Sequence, residues 1–149
     1  MLEQKKNAKL VIVGDGPQMG ELKATVKKMN LSESVVLTGI IDHESLVKSG
    51  IFKASKVFVT VSTTETQGIT TLEAQANGLV CVGVDARGTR DLIKDGYNGY
   101  LVAEGNEREF ADRVVKLLDD SRTYVVMECN TLKCIKDHDI KDVVGLWEK

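Results

Sequence analysis

Short apolar runs alternate with helix-forming segments from residue 10 to residue 119, and this alternation limits the possible folds more than any other feature. The pattern predicts five strands, at 10–14, 35–39, 56–61, 80–84 and 99–102. It predicts helices at 19–29, 43–49, 69–76, 89–94 and 106–119, followed by a helical tail over 121–149. Strands that alternate with helices favour right-handed crossovers. The predicted fold class is therefore α/β, a Rossmann-like parallel sheet with helices on both faces.

Length and charge exclude several classes of protein. The 149 residues correspond to about one domain, and no low-complexity linker interrupts them, so we predict a single domain over 1–149. The net charge of −2 gives no electrostatic field for nucleic acid. No apolar run reaches the roughly 18 residues of a membrane span, and residues 1–6 lack a hydrophobic signal region. We therefore expect a cytoplasmic protein.

The sequence predicts several helix ends. Asp42 is expected to cap the helix that starts at His43, and Asn106 the helix that starts at Glu107. The pair Asn77-Gly78 is expected to stop the helix that starts at Ile69.

Two carboxylates bracket a glycine where the buried strand 56–61 leads into the helix 69–76. Glu65 lies in the loop, and Glu73 lies in the helix, roughly 7 Å along the axis from its start. Between them, the free amides near Gly68, Ile69 and Thr70 would form an anion site at the positive end of the helix dipole. Because Gly68 has no Cβ, a phosphate could approach its backbone. The order of carboxylate, phosphate cradle and carboxylate matches hexose, pyrophosphate and ribose in a nucleoside diphosphate sugar.

Other loops are expected at the same edge, because ligands of such sheets bind beyond the carboxyl ends of the strands. Gly14 and Gly16 open a glycine turn, but the third glycine of a dinucleotide fingerprint is replaced by Met19, which disfavours an NAD site. The loop Gly39, Ile40 and Ile41 could flank a nucleobase, although packing explains the two isoleucines equally well.

Two arginines follow the strand 80–84. Arg87 and Arg90 could face the ligand, or they could pair with Asp85 and Asp91. There is no Asp-x-Asp pair at a strand end, so we expect no metal ion.

The residues around this strand-to-helix turn resemble the E-x7-E signature of the retaining GT-B glycosyltransferases of family 4. The matching residues are Glu65, Gly68, Leu72, Glu73, Ala74, Ala76 and Gly78. Four further segments fit that family in order, at 10–17, 35–42, 87–93 and 95–102. Together they cover roughly residues 9 to 120. The resemblance is to the C-terminal, donor-binding half of these enzymes.

The resemblance implies a role for each site residue. Glu65, at the catalytic position, would hold hydroxyls of the transferred hexose, and Glu73 would hold the ribose hydroxyls. The amides of Gly68 and Ile69, with Thr70, would hold the distal phosphate. Gly16, Gly39, Ile40 and Ile41 would complete the donor site. No cofactor is implied beyond the co-substrate, a UDP- or GDP-linked sugar.

The variant Arg87-Gly-Thr-Arg90 and the run Thr64-Glu-Thr-Gln-Gly68 are similar to family members that build surface polysaccharides or glycolipids. We therefore expect hexose transfer to an envelope polysaccharide or glycolipid acceptor. The partner would be an N-terminal acceptor domain, which this sequence lacks, and contact with the inner face of a membrane would come only through that absent half.

The sequence departs from the family in one more respect. The first strand and helix of the donor domain, with the Arg and Lys that clamp the diphosphate, are absent. We expect the remaining strands to close up in the order 2-1-3-4-5, or a second chain to fill the gap as a dimer. Without the acceptor domain and the basic clamp, the isolated chain is expected to be inactive.

Three alternatives remain open at this point. The first is a non-catalytic nucleotide-sugar-binding module or a subunit of a split glycosyltransferase. The second is a glycosidase with two catalytic carboxylates, although a glycosidase has no use for a phosphate-sized glycine and helix terminus between them. The third is a flavodoxin-like signalling domain, which would need a phosphorylatable Asp at the end of the first strand, where Gly14-Asp15-Gly16 opens a turn instead.

Overall fold

A computed structural model describes residues 5, 7–64 and 68–137 of the chain. The chain divides into two compact units, Met1–Ile51 and Phe52–Lys149. The sequence pattern had indicated no boundary. Each unit is described by itself below.

The first unit contains a two-stranded parallel sheet. The elements of this unit are β1 (Leu10–Ile12), α1 (Met19–Lys28), β2 (Val35–Leu37) and α2 (His43–Lys48). Leu10 lies opposite Val35 in the sheet. The short helix α3 (Ile51–Ala54) begins at the boundary between the units.

The second unit contains a three-stranded parallel sheet with β4 at its centre. Its elements after α3 are β3 (Val57–Thr60), α4 (Ile69–Ala76), β4 (Val80–Val84), α5 (Arg87–Arg90), β5 (Gly99–Val102), α6 (Glu107–Asp119) and α7 (Ser121–Asp137). Helices α4, α6 and α7 all contact β4, and α7 also packs against α4 and α6.

The core of the second unit is built around β4. All five residues of this strand are buried, as expected for a strand that is paired on both edges and covered by helices. Ala74 of α4, Leu79, Cys81 and Ile93 form its buried apolar cluster. Phe52, Phe58 and Leu101 pack against this cluster at its margin.

Two glycines let backbone and helix approach this core closely. A Cβ at Gly99 would overlap the carbonyl oxygen of Cys81 on the neighbouring strand. A Cβ at Gly83 would lie 2.5 Å from Cγ2 of Thr89, so α5 can lie directly on the sheet only because position 83 lacks a side chain.

The predicted fold class, a parallel α/β structure, is confirmed, and so are the predicted helix caps. The Asp42 carboxylate accepts a hydrogen bond from Ser45 N at 2.9 Å, and Asn106 Oδ1 accepts one from Glu109 N at 3.3 Å. The predicted helix 69–76 has the observed bounds, and Gly78 beyond it adopts a φ of +82°. Helix α3 was not predicted, and the prediction of a helix at 89–94 is wrong because α5 spans 87–90.

The predicted strand order 2-1-3-4-5 is confirmed in part. The pairs 1–2, 3–4 and 4–5 are observed, whereas the predicted pairing of strands 1 and 3 is not found among the described residues. Within the described residues, β1 pairs with β2 in one sheet and β3 pairs with β4 in another. The apolar pattern identifies a strand, but it does not identify the neighbour, because strands pair through backbone groups that every residue carries.

None of the helices in the described part of the chain has the length and apolar character to cross a membrane.

We predict that Gly99→Ala destabilises the second unit by about 1–3 kcal/mol, because the new methyl group would collide with backbone rather than with a flexible side chain. Urea denaturation followed by circular dichroism measures this change. The matched control is Gly20→Ala in α1, where nothing lies within 4 Å of the added Cβ. That variant should be neutral or slightly stabilised. Equal unfolding midpoints for the two variants would contradict the packing argument.

Candidate functional site

The carboxyl edge of the three-stranded sheet brings two helix starts together. Strands β3 and β4 are parallel neighbours, with Thr60 opposite Gly83 near their carboxyl ends. The chain leaves β3 towards α4 and leaves β4 towards α5, so both helices begin at the same edge. This is the edge at which the sequence predicted a ligand.

The start of α4 has the features of an anion site. Gly68 is the N-cap residue, in the left-handed conformation with a φ of +61°, and it supplies no side chain that could occupy the first-turn amides. Amides in the first turn of a helix have no intrahelical acceptor, and the helix dipole gives this end partial positive charge. Ile69 is half-buried, and Thr70, which carries a hydroxyl, is exposed.

The structure gives a packing reason for the glycine at position 68. A Cβ there would overlap Cδ1 of Leu92 and would lie 3.5 Å from the carbonyl oxygen of Gly88. Because Gly88 belongs to α5, the backbone of α5 lies against the start of α4. The predicted close approach of a phosphate to Gly68 remains a prediction, since packing and the positive φ already require glycine.

Of the two predicted carboxylates, Glu73 belongs to the described residues and Glu65 does not. Glu73 is half-buried, four residues after Ile69 and therefore about 6 Å along the axis of α4. Glu65 lies outside the described residues, as do residues 66 and 67. The end of α4 is closed by Asn77, whose side-chain amide donates to the carbonyl of Glu73 at 2.9 Å.

The two arginines of α5 have different surroundings. Arg90 forms an ion pair with Asp85, with Nη2 at 3.1 Å from Oδ2 and a second bond from Nε to Oδ1. The hydrogen bond from Arg90, together with its charge, holds the pKa of the Asp85 carboxyl below its usual value. Arg87 is exposed, and it makes no ion pair or hydrogen bond with the residues that the structure describes. Of the two, Arg87 therefore has the guanidinium that remains available to a ligand.

The first unit contains the other group of predicted residues. Gly14 N donates to Gly39 O at 2.9 Å, which brings the glycine turn after β1 and the loop after β2 together. Ile40 is 81% exposed, so it is not a core residue. Next to this turn lies an open cleft of about 590 Å³, lined by Ile12–Met19 and Leu22.

Gly16, also in this turn, has an occupied amide. Its N–H donates to the Asp15 carboxylate at 2.7 Å. The negative charge of the Asp15 carboxylate would repel a phosphate at this turn. The turn is therefore a poorer phosphate site than the start of α4.

The predicted site residues that the structure describes thus fall into two groups, one in each unit. The sequence pattern missed Leu92, which lies under Gly68, and Gln75, which lies buried in α4. The available sequence signal for Gln75 was its position as a polar residue between Ala74, which is buried, and Asn77, where the helix ends. Among the described residues there is no group of three or more His, Cys, Asp or Glu side chains arranged to hold a metal ion.

Comparisons with known proteins agree with this fold. The family model for the group 1 glycosyl transferases matches residues 1–133. N-acetyl-alpha-D-glucosaminyl L-malate synthase of Bacillus anthracis is 30% identical over 118 residues, which are 79% of this chain and 30% of that protein. A UDP-Gal:alpha-D-GlcNAc-diphosphoundecaprenol alpha-1,3-galactosyltransferase of Escherichia coli is 35% identical over 111 residues, or 74% of this chain and 28% of that protein.

A solved structure shares the fold. The pneumococcal O-GlcNAc transferase GtfA, crystallised with UDP and GlcNAc, superposes with a TM-score of 0.83 at 22% identity, covering 99% of this chain and 29% of that one. The chain therefore spans about 30% of the length of the two curated relatives. The family match over most of its length shows that this chain belongs to the group 1 glycosyl transferases.

Proposed function

We propose that this chain binds the nucleotide-sugar donor of a retaining glycosyltransferase. The observation that carries the proposal is the start of α4, a glycine-capped helix terminus at the carboxyl edge of a parallel sheet, with α5 against it. Helix termini of this kind bind phosphates through backbone amides and the helix dipole. Both the E. coli relative and the pneumococcal structure carry UDP in their names, which supports a UDP-linked donor.

The predicted residues other than Arg90 each have a part in this proposal. The amides of Gly68 and Ile69, with the Thr70 hydroxyl, bind the distal phosphate of the donor. The Glu73 carboxylate accepts hydrogen bonds from the ribose hydroxyls, and Glu65 accepts them from the hexose. The loop of Gly39, Ile40 and Ile41 binds the base, with Gly16 nearby. The exposure of Ile40 supports a role in binding rather than in packing.

The proposed mechanism places little chemistry on side chains. The acceptor hydroxyl attacks the anomeric carbon on the face from which the diphosphate departs, and a donor phosphate oxygen takes the hydroxyl proton. As the bond from the anomeric carbon to the phosphate oxygen breaks, negative charge develops on the diphosphate. The amides at the start of α4 are already oriented towards that charge, so they stabilise it without reorganisation. Neither Glu65 nor Glu73 acts as a nucleophile.

The acceptor in this proposal is an envelope polysaccharide or a glycolipid. The E. coli relative is named for a diphosphoundecaprenol-linked acceptor, which supports a lipid-linked substrate, whereas the B. anthracis relative is named for L-malate. Hexose transfer to such an acceptor would take place in the cytoplasm, at the inner face of the membrane. It would require an acceptor-binding domain in addition to these residues.

We predict that the chain binds one of UDP, GDP and ADP saturably, and that Glu73→Gln weakens this binding about tenfold, because a carboxylate that accepts ribose hydroxyls is replaced by a neutral amide. Ligand-observed NMR titrations measure these affinities. The matched control is Glu128→Gln, which changes another half-buried helix glutamate, in α7, and should leave the affinity unchanged. Absence of binding to all three nucleotides at millimolar concentration would refute the proposed function.

We also predict that Arg87→Gln weakens binding of the nucleoside diphosphate about tenfold, because it removes a charge-assisted contact to phosphate. The affinity of the Arg87→Gln variant for the nucleoside diphosphate should also depend less on salt than that of the unmodified chain. Arg90→Gln is the matched control, since Arg90 is already paired with Asp85. Titrations at 50 and 300 mM salt compare the two variants. Equal losses in both variants would show that Arg87 has no special role.

A further inference from the structure

A buried cluster of side-chain amides lies beside α4. Gln75 is 1% exposed and Asn98 is completely buried. Gln75 Nε2 and Asn98 Nδ2 both donate to the carbonyl oxygen of Leu92, each at 3.0 Å. A carbonyl oxygen has two lone pairs, so these two donors saturate it. Burial of an amide is costly unless it is hydrogen-bonded, and this requirement fixes the geometry of the cluster.

The cluster also ties the segment 92–98 to α7. Asn98 Oδ1 accepts from Lys94 N at 2.7 Å, so the Asn98 side chain closes the turn on itself. The backbone carbonyl of Asn98 accepts from Thr131 Oγ1 of α7 at 3.0 Å. Thr131 is completely buried. Leu92 is therefore held from the side of α4 by Gln75 and from the side of α7 through Asn98.

Leu92 also contacts α4 at its opposite end. Its Cδ1 occupies the space that a Cβ of Gly68 would need. The side chain of Leu92 thus lies under the N-cap of α4, while its carbonyl binds Gln75 near the C-terminal end of the helix. One residue contacts both ends of α4, and it is itself buried, at 8% exposure.

We propose that Gln75 and Asn98 are positioning residues that, through Leu92, fix the first-turn amides of α4 against α5. The inference rests on the proposed function, because those amides are the proposed phosphate site. Anion binding by backbone amides depends on their direction and distance. Side chains that fix the helix start through Leu92 therefore set the affinity for the diphosphate part of the donor, whereas the affinity for the nucleoside part is unaffected.

The test compares Gln75→Met, which keeps a similar side-chain length and removes the amide, with Asn130→Ala. Asn130 is a matched control because its amide also ties α7 to this segment, but it donates to Tyr97 O, at 2.9 Å, rather than to the Leu92 carbonyl. In ¹H–¹⁵N spectra, Gln75→Met should shift the backbone amides of residues 68–70, and Asn130→Ala should not. The affinity for inorganic pyrophosphate and for UDP should fall about tenfold in Gln75→Met, and the affinity for uridine should stay the same.

The outcomes separate the inference from the proposed function. If the unmodified chain binds neither pyrophosphate nor UDP, the proposed function fails, and the amide shifts still decide whether Gln75 positions the start of α4. If Gln75→Met only lowers the melting temperature, with residues 68–70 unshifted and binding unchanged, Gln75 is a core residue and the inference is overturned.

A second measurement needs no variant that could fail to fold. Coupling between two sites is reciprocal, so pyrophosphate bound at the start of α4 should shift the side-chain NH₂ resonances of Gln75 and Asn98 in the unmodified chain. The Asn130 side-chain resonance should stay in place. Shifts confined to backbone amides of residues 68–70, with no change at Gln75, would contradict the inference.

Discussion

The burial of β4 on both faces is the constraint on which the second unit depends. A strand with neighbours on both edges and helices packed against it leaves no room for adjustment, because protein interiors are close-packed. At Gly83 and Gly99 this packing leaves no room for even a methyl group. The packing around β4 also constrains α4 and α5, because α4 directly precedes β4 in the chain and α5 directly follows it.

The interior and the edge of this unit have separate roles. Inside, burial raises the pKa of the Cys81 thiol to about 12, so this cysteine stays protonated and is a poor nucleophile. The buried amides of Gln75 and Asn98 hold loops in place. Among the described residues, no buried side-chain nitrogen or oxygen lacks a hydrogen-bond partner. Groups that can meet a ligand, including Thr70 and Arg87, lie exposed at the carboxyl edge. A rigid interior thus presents a polar edge, which is the arrangement that binding by backbone amides requires.

Local signals in the sequence predicted local structure well. Asp42 and Asn106 were correctly identified as helix caps because their side chains bond to amides three residues away, and no distant residue is needed. The predicted bounds of α5 were wrong because distant residues do matter there. Residues 91–94 continue an apolar pattern typical of a helix. Asn98 nevertheless accepts from Lys94 N, and Gln75 binds the Leu92 carbonyl, so side chains take the backbone groups that a longer helix would use. Helix α3 was missed because a four-residue helix has little stability of its own, and Phe52 packs against the core.

The sequence by itself determined the parallel α/β class, the helix at 69–76 whose preceding glycine is bracketed by two glutamates, and the family, because these depend on residue type and on spacing along the chain. The tertiary structure decided which strands pair, why position 68 must be glycine, and which of the two arginines is already engaged. The first two depend on residues far apart in sequence, since Leu92 fills the space beside Gly68, and such contacts form only when the chain is packed. The ion pair of Arg90 with Asp85 is local, but the sequence offered Asp85 and Asp91 to both arginines, and only the fold of residues 85–90 selects this pair.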